Sequence, residues 1–182
     1  MKRFLLLFLA TVVTAWSASA QLSVSQLRTE HLTDPVGIGE RRPLLSWEVS
    51  DASRRGVTQS AYEIRVKSGG RTVWRTGKVA SAESAGVFYD GTPLTSDTRY
   101  TWQVRVWDDR GKASAWSRPA FWRTGLFDVG EWQARWIEPA VSDDLAAMFR
   151  RTFRVTKPVA EATVYVTAHG IYEASVNGHR VS

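Results

Sequence analysis

The segment Tyr100-Thr-Trp-Gln-Val-Arg-Val106 constrains the fold more than any other part of the chain. Its apolar residues, Tyr100, Trp102, Val104 and Val106, fall at every second position, with Thr101, Gln103 and Arg105 between them. Successive side chains of a strand point to opposite faces, so this period of two predicts a half-buried β-strand and excludes an amphipathic helix. Leu94 lies six residues before Tyr100. That spacing suits a corner in which a tyrosine hydroxyl ties a connection to the strand it enters. Downstream, Asp109-Arg-Gly111 predicts a turn, and the last strand of the unit is expected around Trp116 to Arg123.

The preceding hundred residues repeat this grammar. Leu22, Val24 and Leu27 mark a strand, followed by a loop from His31 to Gly39. Leu44 to Val49 predicts the next strand, entered at Pro43. Tyr62, Ile64 and Val66 alternate as inward residues with Glu63, Arg65 and Lys67 as outward ones. Ser68-Gly-Gly70 is a hairpin-type turn. Val73-Trp74 and Val79 come next, then Val87 to Tyr89, before Asp90-Gly91 turns the chain again. About seven short strands at regular spacing predict a fibronectin-type or immunoglobulin-like sandwich. The sequence has no cysteine, which favours the fibronectin type over the disulfide-bonded antibody type. Trp47 and Tyr100 are expected as core aromatics contributed by the two facing sheets.

The first 20 residues read as a removable leader. Lys2 and Arg3 precede an apolar run from Phe4 to Val13, and Ala18-Ser-Ala20 fits a cleavage site. Cleavage leaves 162 residues and lowers the net charge from +6 to +4. The run is shorter than the roughly 20 residues that span a bilayer, so the expectation is export to the periplasm or medium with no membrane contact afterwards. The missing cysteines rule out a disulfide framework, thiolate-bound zinc and a thiol nucleophile. Basic residues are interspersed with acidic ones along the sequence, without the concentrated run that nucleic-acid binding calls for.

After Gly125 the pattern changes. Residues 126–139 form a Trp-rich connector in which Trp132 and Trp136 lie four apart, suiting either one face of a helical turn or a domain interface. Phe149, Arg151, Phe153 and Val155 begin a new pattern; strands are expected over Ala162 to Ala168 and Ile171 to Val176, and Asn177-Gly178 is a strong hairpin signal. Residues 140–182 are too few to close a second sandwich, so they are expected as an incomplete β-domain with an unpaired edge, and Trp-rich patches left without their neighbouring domains are expected to drive self-association.

No catalytic constellation emerges. His31 lies near Glu30 and Asp34 without metal-ligand spacing, and no serine occupies a nucleophile elbow. Asp108-Asp109 and Asp143-Asp144 are adjacent pairs, and adjacent strand residues face opposite ways. Asp108-Asp109 is expected to cap a turn. The weak candidates for ligand binding are Trp107, on the outward side of its strand, with Tyr172 and Asn177; Trp132 and Trp136 are the candidates for a domain interface. No metal or cofactor is predicted.

Taken in order, Leu27-Arg-Thr-Glu-His-Leu32, Arg42-Pro-x-Leu-Ser-Trp47, Gln59-Ser-Ala-Tyr-Glu-Ile-Arg-Val66, Tyr100-x-Trp-x-Val-Arg-Val-Trp-Asp108, Trp132-x-Ala-Arg-Trp-Ile137 and Tyr172-Glu-x-x-Val-Asn-Gly178 resemble the N-terminal portion of bacterial α-L-rhamnosidases of glycoside hydrolase family 78. The resemblance implies an all-β chain: a leader (1–20), a fibronectin type III-like sandwich (21–125), the connector (126–139) and the truncated start of a jelly-roll-like, carbohydrate-binding-module-like sandwich (140–182). It implies a whole protein that removes terminal α-L-rhamnosyl groups from glycans or glycosides with inversion, using two acids on a downstream (α/α)6 barrel. No catalytic residue then falls in this chain, and its further domains are its partners. The other readings are a free-standing fibronectin-type module that binds carbohydrate or protein, and a periplasmic adaptor packing β-domains through Trp132 and Trp136.

Overall fold

The computed structural model describes residues 22–140 and 146–181. The leader reading and the Asp143-Asp144 pair lie outside the described residues. The chain divides into two compact units, residues 1–134 and 135–182.

In the first unit, a three-stranded sheet takes β1 (Ser23–Thr29), β3 (Leu44–Ser50) and β6 (Val87–Phe88) in the order β1-β3-β6. A five-stranded sheet takes β2 (Val36–Ile38), β8 (Ala120–Thr124), β7 (Arg99–Asp108), β4 (Gln59–Ser68) and β5 (Arg71–Arg75), in the order β2-β8-β7-β4-β5. All pairings are antiparallel except β2 with β8. The alternation of β7 is realised throughout: Tyr100, Trp102, Val104 and Val106 are buried, and Thr101, Gln103 and Arg105 are half-buried on the other face. Leu45 and Trp47 from the smaller sheet share the core with Ile64, Val66 and Trp122 from the larger one. Each such side chain contributes about 1.5–3 kcal/mol by leaving water.

Aromatic rings organise this core. Tyr89 meets Trp74 edge-on at 5.0 Å and Trp122 edge-on at 5.8 Å, and Trp122 stacks on Tyr100 at 5.3 Å. Trp47 and Tyr100 do come from facing sheets, but Trp47 finds its ring partner in Tyr62, at 5.3 Å. The Trp47 indole N–H donates to buried Gln59 (3.0 Å), whose amide donates to the carbonyls of Ser81 and Glu83, pinning the crossover behind β5. The tyrosine corner forms as expected: the Thr95 N–H donates to the Tyr100 hydroxyl at 3.0 Å, and Leu94 is buried.

Four details depart from the sequence reading. The loop from His31 to Gly39 contains β2, whose three residues include Gly37 at φ +85°, so no period of two is visible. The strand expected from Trp116 begins at Ala120, because residues 114–117 pair with β7 through serine hydroxyls. The Val104 and Val106 N–H groups donate to the Ser117 and Ser114 hydroxyls (3.1 and 3.0 Å), while the Ser117 and Ser114 N–H groups donate back to the same residues' carbonyls. Glu63, read as outward, is on the outward face yet buried, because Arg75 and Arg105 close over it.

The fourth departure is in the second unit, where strand is confined to β9 (Ser175–Val176) and β10 (His179–Arg180) among the described residues. The hairpin signal is borne out: Asn177 and Gly178 adopt φ +52° and +80°, as a two-residue turn of this type requires. Residues 162–168 form no strand, since a strand needs a neighbour to take its backbone hydrogen bonds. Phe149, Phe153, Val164 and Ile171 are all exposed. The connector forms a 3-10 turn, Val129–Glu131, and no helical turn spans Trp132 to Trp136.

Candidate functional site

The outward face of the five-stranded sheet brings charged and polar side chains together with the rings of Trp107, Trp116 and Phe121. Register fixes which residues share it. Glu63 lies opposite Arg105, Arg65 opposite Gln103 and Lys67 opposite Thr101 across β4 and β7. Arg65 lies opposite Arg75 across β4 and β5, and Arg99 opposite Arg123 across β7 and β8. Residues two apart on one strand face the same side, so Trp107 joins Arg105 and Gln103.

Glu63 is the hub. Its side chain is only 3% exposed, and it accepts from Arg75 Nε at 2.6 Å and from Arg105 Nε at 2.7 Å. Burial alone would raise its pKa, but the hydrogen bonds from Arg75 and Arg105 outweigh that and hold the carboxyl below its ordinary value of 4.5. Arg65 donates twice to Gln103, whose own amide donates to the Ser117 carbonyl.

Rings and cations alternate above this network. Lys78 lies 4.8 Å and Arg105 5.0 Å from the Trp107 ring centre. Arg105 also lies 4.9 Å from the Trp116 ring, and Arg65 lies 4.2 Å from it. Arg99 covers Phe121 at 3.6 Å. Each contact of this kind contributes about 0.5–1 kcal/mol at an exposed site. Trp107 is therefore outward, as the sequence implies, with two cations over its ring.

The other candidates fall elsewhere. Tyr172 (42% exposed) and Asn177 belong to the second unit, Asn177 within the β9–β10 turn. Trp132 is half-buried in the first unit, next to the 3-10 turn. Trp136 belongs to the second unit and stacks on His169 at 4.2 Å. Asp108 caps its turn as expected, accepting from the N–H groups of Arg110 (2.9 Å) and Lys112 (2.8 Å). The hydrogen bond from Arg54 holds Asp109 below its ordinary pKa. Beside His31, Glu30 accepts from the Leu44 N–H and Asp34 from the Phe121 N–H, so both acids are occupied by the backbone. Among the described residues no cluster of three or more His, Asp or Glu is placed to hold a metal, and no helix is long and apolar enough to cross a membrane.

The start of the connector is strapped to the sandwich by residues that sequence reasoning did not single out. The Glu131 carboxylate accepts from the Ser96 hydroxyl (2.6 Å) and from the N–H groups of Phe127 and Asp128, and these bonds, that from Ser96 foremost, hold its pKa low. Arg41 pairs with Asp128 at 3.0 Å and covers the Phe127 ring at 4.6 Å.

Fold and face together define an immunoglobulin-like β-sandwich whose outward charges are organised by rings and by one buried carboxylate. The chain belongs to the family described as the Rha78A-like N-terminal immunoglobulin domain, whose model matches residues 24–128. It is 37% identical to an alpha-L-rhamnosidase of Streptomyces avermitilis over 88% of this chain and 18% of that protein. It is 34% identical to one from Formosa agariphila, over 82% and 19%. The crystal structure of the Streptomyces avermitilis alpha-L-rhamnosidase complexed with L-rhamnose superposes with a TM-score of 0.63 at 43% identity, over 66% of this chain and 12% of that one. The chain thus spans about a fifth of the length of the curated relatives it matches.

Proposed function

We propose that this chain is the non-catalytic N-terminal portion of an exported α-L-rhamnosidase. The observation that carries the reading is the match of residues 24–128 to an N-terminal domain family, in a chain spanning about a fifth of its rhamnosidase relatives. The acids of the described sandwich support it. Glu63, Asp108 and Asp109 are each engaged by arginine or by turn amides, so none of these three is poised as a general acid or base. In this reading residues 21–125 are a scaffold, 126–139 a connector whose Trp132 and Trp136 pack against neighbouring domains, and 140–182 the start of a second sandwich. The whole protein cleaves terminal α-L-rhamnosyl groups with inversion. That chemistry needs two carboxyls roughly 6.5–9.5 Å apart, which belong to the part outside this chain. The leader pattern of residues 1–20 supports export.

Titration of L-rhamnose into the purified chain, followed by tryptophan fluorescence, tests the scaffold role. No saturable change is expected, because cations already cover the Trp107 ring. A saturable change lost on Trp107→Ala or Tyr172→Ala would favour a free-standing sugar-binding module instead.

A further inference from the structure

The cations of the outward sheet face exceed what the structure neutralises. Glu63 is shared by Arg75 and Arg105, and Asp97 pairs with Arg123 at 2.6 Å. Arg65, Lys67, Lys78 and Arg99 touch no carboxylate among the described residues. Arg65 instead donates to the neutral Gln103, and Arg65, Arg99 and Lys78 lie over Trp116, Phe121 and Trp107 respectively. Arg65 and Lys67 on β4 and Arg99 on β7 share one sheet face, on strands about 4.8 Å apart, and Lys78, beyond the end of β5, lies over Trp107 on the same face. The ring contacts restrain three of the four cations, which lowers the ordering cost of binding an anion.

We propose that this face docks an acidic polysaccharide, with the arginine and lysine groups taking its carboxylates. The proposal rests on the rhamnosidase-family reading, which puts the domain beside glycans. Charge complementarity supplies the attraction, and the planar guanidinium fork matches a carboxylate. Thr101, between the cations on β7, adds a neutral hydroxyl suited to hydrogen bonding with a sugar hydroxyl. A single-stranded nucleic acid fits less well, because its bases bind by stacking on open aromatic faces, and cations already lie over the Trp107 and Trp116 rings.

Affinity electrophoresis of the purified chain in gels holding polygalacturonate, neutral dextran or single-stranded oligothymidylate tests the assignment. Retardation is expected in polygalacturonate and not in dextran, and it should vanish at about 1 M NaCl, where the Debye length falls to about 3 Å. The triple variant Lys67→Glu/Lys78→Glu/Arg99→Glu should weaken retention at least about tenfold. A charge-matched control, Arg28→Glu/Arg55→Glu/Lys112→Glu, should keep most of it. Circular dichroism of both variants establishes that they fold. The proposal is overturned by absence of retardation in the parent chain, by equal loss in the control, or by tighter retention on oligothymidylate than on polygalacturonate. Those outcomes leave the family reading standing, because that reading is tested separately by rhamnoside turnover.

Discussion

Glu63→Gln tests the hub of the outward face. The substitution keeps the shape but replaces a carboxylate oxygen with an amide N–H₂ that opposes an arginine donor. Two charge-assisted hydrogen bonds are weakened, each of which contributes about 1.5–3 kcal/mol when well shielded. Arg75 is 59% exposed, so its share falls toward the few tenths to 1 kcal/mol of a surface pair. Arg105 is 31% exposed and retains more. The expected loss at neutral pH is about 2–3 kcal/mol, or about 10 °C in Tm for a domain of this size. Urea unfolding followed by tryptophan fluorescence measures it, with an unchanged slope as the sign that stability alone has moved. The pH dependence has a definite sign. The folded-state pKa of Glu63 is depressed below 4.5, so its contribution is complete above the unfolded-state value and is lost as pH falls through the folded-state value. Parent and variant should therefore converge in acid. Equal midpoints at neutral pH, or a gap that does not narrow as pH falls below 4.5, would refute the account of Glu63.

Three further substitutions probe the scaffold. Tyr100→Phe keeps the stack on Trp122 but leaves the Thr95 N–H without the hydroxyl it donates to, so urea unfolding should show a loss of about 1 kcal/mol. Ser117→Ala removes the acceptor of the buried Val104 N–H and should cost about 1–3 kcal/mol, with faster amide exchange at Val104 read by NMR. Gly91→Ala sets a Cβ 2.5 Å from both the Trp74 Cβ and the Tyr89 hydroxyl; thermal unfolding should show a loss of about 1–3 kcal/mol, while Gly130→Ala, which meets nothing within 4 Å, should leave Tm nearly unchanged.

The sandwich was legible where one strand carries its own signal. β7 alternates without a break, and the Gly69-Gly70 and Asn177-Gly178 turns have the left-handed φ values their residues promise. The outward face was much less legible. Its cations alternate with apolar residues on β4 and β7 and never form a run, so only register assembles them. Glu63 looked like any exposed strand carboxylate, because the arginines that bury it are 12 and 42 residues away in sequence. Ser114 and Ser117 substitute hydroxyls for backbone carbonyls, which propensity does not register. The strand expected at residues 162–168 shows the converse: alternation states a preference, and a strand forms only where a partner completes its ladder.

The central claim, that this chain supports a rhamnosidase without performing its chemistry, meets its most direct test in hydrolysis of an aryl α-L-rhamnoside by the purified chain. The account predicts release of the aryl group no faster than in buffer. Turnover that persists through purification and is abolished by substituting one of the chain's own carboxylates, Glu63, Asp108 or Asp109, in a variant that still folds would contradict it.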